Sequence, residues 1–321
     1  MPARSSATAI DATDQRADDR GSPQQARSSR IDVEVLHAPS LTNFAWLCHA
    51  FSTRFGGQSV VYSKSQATGE LNLGFTSSDD KANVIANRER FLAAIVADPQ
   101  FPMVTIRQIH SDIVLRVDKP RTATEPGFVK ADGMMTSKPG LLLAIQTADC
   151  IPVLIADTKQ RAVAAIHAGW RGTLKRIVER GVGQMRLEFG SRTEDLVAAI
   201  GPGIGQCCYA VGEEVRDNFE SQFSYAADLF REVEPTGPVK EKYPASFLAT
   251  RPPGHHNPAV RLDLVEANRR QLLDAGLSTD AISVVRECTS CNTGRFFSYR
   301  AEGGFTGRML SVIGIRPEKP H

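Results

Sequence analysis

A chain of 321 residues with 41% apolar side chains is long enough to bury one large core or two ordinary ones. Its net charge of +2, with Lys and Arg spread evenly, argues against a surface for nucleic acid or another polyanion and leaves small molecules as the expected partners. No apolar run approaches the roughly 18 residues of a membrane span, the first residues lack the apolar core of a secretory signal, and six cysteines are too sparse for a disulfide framework, so a cytoplasmic protein with reduced thiols is expected.

Residues 1–30 hold mostly Ser, Ala, Arg, Asp and Gln without apolar periodicity and are predicted to be a disordered tail. Asp11, Asp14, Asp18 and Asp19 argue against a transit peptide. The folded domain is expected to cover 31–321. Ile31 to Leu36 alternates like a strand, and the apolar run Phe44 to Phe51 ends at S-T-R-F-G-G, where Gly56 and Gly57 mark a turn. Lys81 to Val96 reads as a helix with Val84, Ile85, Leu92 and Ile95 on its apolar face, stopped by Asp98-Pro99. Met103 to Ile109 and Ile113 to Val117 are strand-like, which places His110 at a strand end. Leu141 to Ile145, Pro152 to Ala156 and Ala162 to Ile166 are three further strands, with Cys150 in the connection after the first and His167 closing the third. After G-W-R-G, Thr173 is the predicted N-cap of a helix of about four turns carrying Leu174, Ile177, Val178, Val182 and Met185. Leu196 to Ile200 is a strand, G-P-G-I-G a loop and Glu213 to Phe223 a helix. Glu234 to Pro258, with six prolines, is predicted to be a surface excursion. Leu262 to Leu273 is helical, and Ile282 to Val285 and Met309 to Ile315 are strands. Strands and helices interleave without a break in composition, which favours one mixed α/β domain.

One thiol and two imidazoles, Cys150, His110 and His167, make a three-ligand zinc set with a fourth position open, the arrangement of a catalytic rather than a structural zinc; each of these side chains could also serve as core. Asp149 beside Cys150 could orient a ligand or shuttle a proton. The glycines of A-G-W-R-G permit close approach of backbone, and the helix start beside Arg171 suits a phosphate. Cys207 and Cys208, being adjacent, read as packing residues that do not easily share one metal. Cys288 and Cys291 form a C-x-x-C with no second such pair to complete a structural zinc site, which leaves a redox pair as a reading. His255 and His256 are expected to be solvated, and His37, His49 and His321 have no evident partner.

The motifs H-A-F-S-T-R-F-G-G-Q-S, L-N-L-G, R-Q-I-H, A-D-G-M, T-A-D-C-I-P-V-L, I-H-A-G-W-R-G, G-P-G-I-G-Q-C-C-Y, L-D-L, C-T-S-C, F-F-S-Y-R and T-G-R occur in this order between Phe44 and Ile315. Together they resemble the laccase-domain family, whose members carry the names multicopper polyphenol oxidase, purine nucleoside phosphorylase and peptidoglycan editing factor. The resemblance implies a single domain of face-to-face mixed sheets flanked by helices, a four-layer α/β/β/α sandwich. It puts the family's metal ligands on His110, Cys150 and His167, and Arg54 and Asn72, which belong to its motifs, become candidate substrate contacts beside Arg171; Cys150, Asp149 and His167 are the expected catalytic residues. The chain departs from the family at Ala301, where a second arginine is usual, and at Gln206, where proline is common; the 234–258 excursion is also longer than usual.

A laccase-type copper enzyme needs two histidines and a cysteine for a blue-copper site plus several more histidines for a multinuclear centre, and of this chain's seven at least three lie in unpromising places, so zinc is preferred to copper. What the resemblance then implies is a zinc-dependent purine nucleoside enzyme: phosphorolysis of adenosine, inosine, guanosine and S-methyl-5'-thioadenosine, and deamination of adenosine. The alternatives are an amidase removing a wrongly incorporated amino acid from a cell-wall precursor, a copper polyphenol oxidase, and a zinc-stabilised scaffold without activity. The oligomeric state is not set by the sequence.

Overall fold

The computed structural model describes residues 32–63, 69–96, 101–120, 129–232 and 260–317. The expectations for 1–30, for the proline-rich 234–258, and for His255, His256 and His321 lie outside these residues. The described residues fall within one compact unit, Ile31–His321, and no helix among them is long and apolar enough to cross a membrane.

Two sheets carry the fold. Numbered along the chain, the first has the order β1 (Val35–Leu36), β2 (Leu47–Ser52), β15 (Met309–Ile315), β7 (Leu141–Thr147) and β4 (Met103–Val104). The second has the order β14 (Ile282–Val284), β10 (Leu196–Ile200), β8 (Ile151–Asp157), β9 (Ala162–Ala168), β6 (Gly133–Thr136) and β5 (Val114–Arg116). A small third sheet joins β11 (Ala210–Val211), β13 (Val260–Leu262) and β12 (Phe230–Glu232), and β3 (Phe55–Ser59) stands apart from all three.

The alternation of side chains along each strand explains the layers. On β8, Leu154 and Ala156 pack with Val163 and Ala165 of β9 against Leu143 and Ile145 of β7 and Ile313 of β15, filling the space between the two large sheets. The intervening residues Val153, Ile155, Ala164 and Ile166 face outward onto α4 (Ile177–Phe189), α5 (Glu213–Gln222) and α7 (Leu264–Asp274). On the far side, Leu142, Ala144, Leu310 and Val312 pack under Phe91 and Leu92 of α2 (Lys81–Val96). Strands covered on both faces read as continuous apolar runs, as β7, β8 and β9 do. The result is the expected α/β/β/α sandwich.

Three local expectations change. Ile85, predicted on the apolar face of α2, is 39% exposed, whereas Asn87 is buried and donates to Ser59 Oγ and the Glu70 and Asn72 carbonyls. Thr173 is not an N-cap. It lies inside α3 (Trp170–Leu174), capped by extended Gly169, and Arg176, at φ +60°, separates this turn from α4. Thr173 Oγ1 exchanges hydrogen bonds with the Asn268 amide, and its carbonyl accepts from Gln271 Nε2 at 2.6 Å, so contacts to α7 set where the helix breaks. Leu262 ends a strand, and the following helix starts at Leu264, where Asp263 caps it by accepting the Glu266 N–H.

His49 on β2 is buried, with Nε2 accepting the Ala38 N–H at 2.9 Å and the His37 ring edge-on at 5.2 Å. Burial, assisted by the charge of His37, pushes its pKa from 6.5 down to about 4. Between these pH values the unfolded chain binds a proton that the folded chain does not. The resulting stability is intact above pH 6.5 and falls by ~3 kcal/mol as pH drops to 4. Denaturant titrations at pH 7 and 4.5 should show this loss, and His49→Gln, which keeps an acceptor but takes no proton, should reduce it. Equal pH dependence in both proteins would show that His49 is not the responsible group.

Candidate metal centre and active site

The centre is assembled at one end of three neighbouring strands. Cys150 immediately precedes β8, His167 is the penultimate residue of β9, and Asp132 immediately precedes β6. Because β8 pairs with β9 in the register Pro152↔His167, and β9 with β6 in the register Gly133↔Ile166, the three residues emerge together. The Asp132 carbonyl accepts the His167 N–H at 2.7 Å. His110 comes from the loop before β5. Gln108 clamps that loop to the end of β7, donating Nε2–H to the Gln146 carbonyl while its Oε1 accepts the Gln146 N–H, both at 2.7 Å.

Asp132 ties the loop to the strands. Its Oδ1 accepts the His110 N–H at 2.9 Å and pairs with His167 Nδ1 at 2.9 Å. Its Oδ2 accepts the N–H groups of Ile109 and Ser111, at 3.2 and 2.6 Å, and the Ser111 hydroxyl at 2.6 Å. Burial opposes ionisation, but the bonds from His167 and Ser111 outweigh it and hold the carboxyl well below the usual carboxylate range.

The donor atoms of His110, Cys150 and His167 lie within 4.8 Å of one another, with Cys150 Sγ 3.8 Å from His110 Nε2 and the two rings 5.0 Å apart, edge to face. Asp132 occupies Nδ1 of His167, which leaves Nε2 for a cation, the usual carboxylate-histidine arrangement around metals. Burial raises the Cys150 thiol, but His167 and His110 overcome this and lower its pKa from 9.0 to about 6. Burial likewise disfavours the His167 imidazolium, yet the adjacent thiolate and Asp132 raise its pKa to about 9. Two imidazoles with one thiolate fit zinc with one position open, and binding a cation there would displace the proton from His167 Nε2.

Gly169 permits this packing. A Cβ there would lie 2.7 Å from His110 Cδ2 and 3.1 Å from Cys150 Sγ. The close approach expected of A-G-W-R-G is therefore made to the donor side chains themselves.

Asp149, in a left-handed conformation at φ +96°, is held at both carboxylate oxygens. Oδ1 accepts the Thr289 and Ser298 hydroxyls at 2.7 Å each, and Oδ2 accepts the Arg300 N–H at 2.6 Å. Burial raises its pKa and these bonds oppose the rise without cancelling it.

A cavity of about 890 Å³ opens over the centre, a size suited to a small-molecule ligand. Its wall includes five arginines, Arg88, Arg107, Arg171, Arg300 and Arg308, against a single carboxylate, Asp149. Phe75, Trp170, Tyr209 and Tyr299 contribute aromatic surface. Arg171 lies over the Trp170 ring at 4.4 Å. Its helix, α3, is only five residues long, so what this segment presents to the cavity is the guanidinium rather than a helix terminus.

Arg54 and Asn72 are not on the cavity wall. Arg54 is buried between Glu70 and Glu302 and stacks on Phe297 at 4.5 Å, and Asn72 accepts the Gly74 and Arg308 N–H groups. Through that last bond Asn72 positions Arg308 rather than reaching the cavity. The residues missed in the sequence are Asp132, the Thr289 and Ser298 hydroxyls, and a four-cysteine cluster. Cys207 and Cys208, expected to be packing residues, meet Cys288 and Cys291 with all four sulfurs within 4.8 Å.

The layered fold and the His-Cys-His cluster define a protein of α/β/β/α architecture with a site that could hold a metal ion. Residues 48–316 match the family described as multi-copper polyphenol oxidoreductase laccase, and the chain belongs to it. It is 35% identical over 280 residues to a purine nucleoside phosphorylase YlmD of Geobacillus stearothermophilus, covering 86% of this chain and 92% of that protein. It is 37% identical over 286 residues to a purine nucleoside phosphorylase of Deinococcus radiodurans, covering 88% and 93%. The crystal structure of the Bacillus licheniformis hypothetical protein YfiH superposes with a TM-score of 0.70 at 32% identity, over 84% of this chain and 93% of that one.

Proposed function

We propose that the protein is a zinc-dependent purine nucleoside phosphorylase, acting on adenosine, inosine, guanosine and S-methyl-5'-thioadenosine, and that it also deaminates adenosine. The observation that carries the reading is a donor triad at the floor of a cavity whose wall holds five arginines and one carboxylate, a field suited to inorganic phosphate beside a neutral nucleoside. The names of the relatives support the same substrate class.

In phosphorolysis a phosphate oxygen attacks the ribose C1', the bond from C1' to the purine nitrogen breaks, and the departing base takes up a proton. The arginines bind and orient the phosphate. The aromatic wall takes the purine face. Zinc, which His110, Cys150 and His167 would hold, would supply a Lewis acid at this point of the cavity. Asp149 is proposed to hold the proton exchanged with the purine. Its raised pKa favours that role, and the Thr289 and Ser298 hydroxyls can rotate to follow a change in its charge. A multinuclear copper centre is disfavoured by donor supply, because among the described residues only His110 and His167 share a donor group.

The test is product analysis with purified, metal-quantified protein and adenosine. Adenine formed only with phosphate is the expected phosphorylase result, and inosine formed without phosphate is the expected deaminase result. If neither appears from protein with its His-Cys-His centre loaded, the reading fails.

A further inference from the structure

The four-cysteine cluster lies outside the cavity wall and takes no part in the reaction proposed above. Its position follows from sheet topology. β10 and β14 run parallel in the register Ile200↔Val284, so the segments leaving them travel together, and pairing continues at the bridge Gly203↔Cys288. The Thr289 N–H donates to the Gly203 carbonyl at 3.1 Å. On one segment Cys207 and Cys208 sit in a turn where the Cys208 and Tyr209 N–H groups both donate to the Gly205 carbonyl at 3.0 Å. Consecutive side chains in a turn need not diverge to opposite faces as they do in a strand, which is how adjacent cysteines reach one point.

Cys291 Sγ lies 3.4 Å from Cys207 Sγ and 3.3 Å from Cys208 Sγ, and Cys288 Sγ accepts the Gly205 N–H at 3.2 Å. Cys207 and Cys291 are exposed, so an ion can reach the cluster from solvent. Zinc binds sulfur at ~2.3 Å in a tetrahedron, which spaces the sulfurs ~3.8 Å apart, and every pair in this cluster lies within 4.8 Å. A disulfide would bring two sulfurs to ~2.05 Å, far inside the 3.3 and 3.4 Å at which Cys291 meets Cys208 and Cys207.

We propose that Cys207, Cys208, Cys288 and Cys291 form a second metal site, a closed tetrathiolate that holds one zinc ion in a structural role. Four soft thiolates select zinc over hard cations and leave no open coordination position. The bound ion staples together the two segments that carry Tyr209, on the cavity wall, and Thr289, which lies within C-T-S-C and donates to Asp149.

The test is zinc quantification on protein purified under reducing conditions. The wild type is expected to hold two zinc ions per chain, His167→Ala one, and Cys288→Ser with Cys291→Ser one. Cobalt substituted into His167→Ala should give the thiolate-to-cobalt charge-transfer band of a tetrathiolate, and Cys291→Ser in that background should abolish it. One zinc in the wild type that His167→Ala removes entirely would overturn the proposal, as would iron in place of zinc. Should the serine variants fail to fold, peptide mapping of the unreduced wild type decides: four thiols that resist alkylation until a chelator is added support the site, and a disulfide among the four, or thiols alkylated without chelator, sinks it.

Discussion

Asp132→Ala is expected to weaken metal binding at the His-Cys-His centre by ~10- to 100-fold and to lower the stability of the fold by ~3–5 kcal/mol. The carboxylate is fully buried and accepts from the Ile109, His110 and Ser111 N–H groups, the Ser111 hydroxyl and His167 Nδ1. An alanine leaves these donors without an acceptor in a site closed to water, at ~1–3 kcal/mol each where the loop cannot open to solvent. The effect on metal has a separate origin. Without Asp132, His167 loses the partner that keeps its proton on Nδ1 and its Nε2 free, and the loop carrying His110 loses its tether. Asp132→Asn is a sharper probe, since it preserves volume but presents an N–H to groups that already donate. Chelator competition and denaturant titration on both variants separate the two effects. Wild-type metal affinity in Asp132→Ala would show that the three donors are positioned without it.

The contrast between Cys150 and Asp132 shows what the sequence exposes. Cys150 and His167 flank apolar runs that could only be buried strands, so their place at strand ends was legible, and the adjacent β8 and β9 bring them together with little further information. Asp132 is one of 36 acidic residues, and nothing in A-D-G-M marks it apart from its position directly before a short apolar strand. Its role appears only when β6 is placed beside β9. The cysteine cluster is a stronger case: C-T-S-C lacked a visible partner because that partner, Cys207 with Cys208, is about eighty residues away and is supplied by the parallel pairing of β10 with β14. Arg54 shows the opposite ambiguity. A charged residue within a motif suggests a ligand contact, and the structure gives it two interior carboxylate partners, Glu70 and Glu302. Side chains that serve chemistry and side chains that hold loops in place look alike until their partners are known.

Gly169→Ala should separate placement of the donors from their identity, with a fall of ~100-fold in the nucleoside phosphorolysis proposed above and weaker metal binding in a protein that remains folded. Gly169 has φ −76° and ψ 168°, an extended conformation that alanine adopts without backbone strain, and exchanging glycine for alanine at this N-cap costs at most ~1 kcal/mol. The side chain is another matter. Its methyl group would lie 2.7 Å from His110 Cδ2 and 3.1 Å from Cys150 Sγ, so the imidazole must move by several tenths of an ångström or more and the sulfur has little room to compensate. His167 is fixed from behind by Asp132 and does not follow. A displacement of ~1 Å in a reacting constellation is worth ~100-fold in rate. Turnover and metal affinity should therefore fall together while the melting temperature changes little, unlike Asp132→Ala, in which all three decline. Turnover and metal affinity both unchanged in Gly169→Ala would mean that His110 has the freedom to reach the metal from more than one position, and that the geometry of the centre is set by Cys150 and His167 alone.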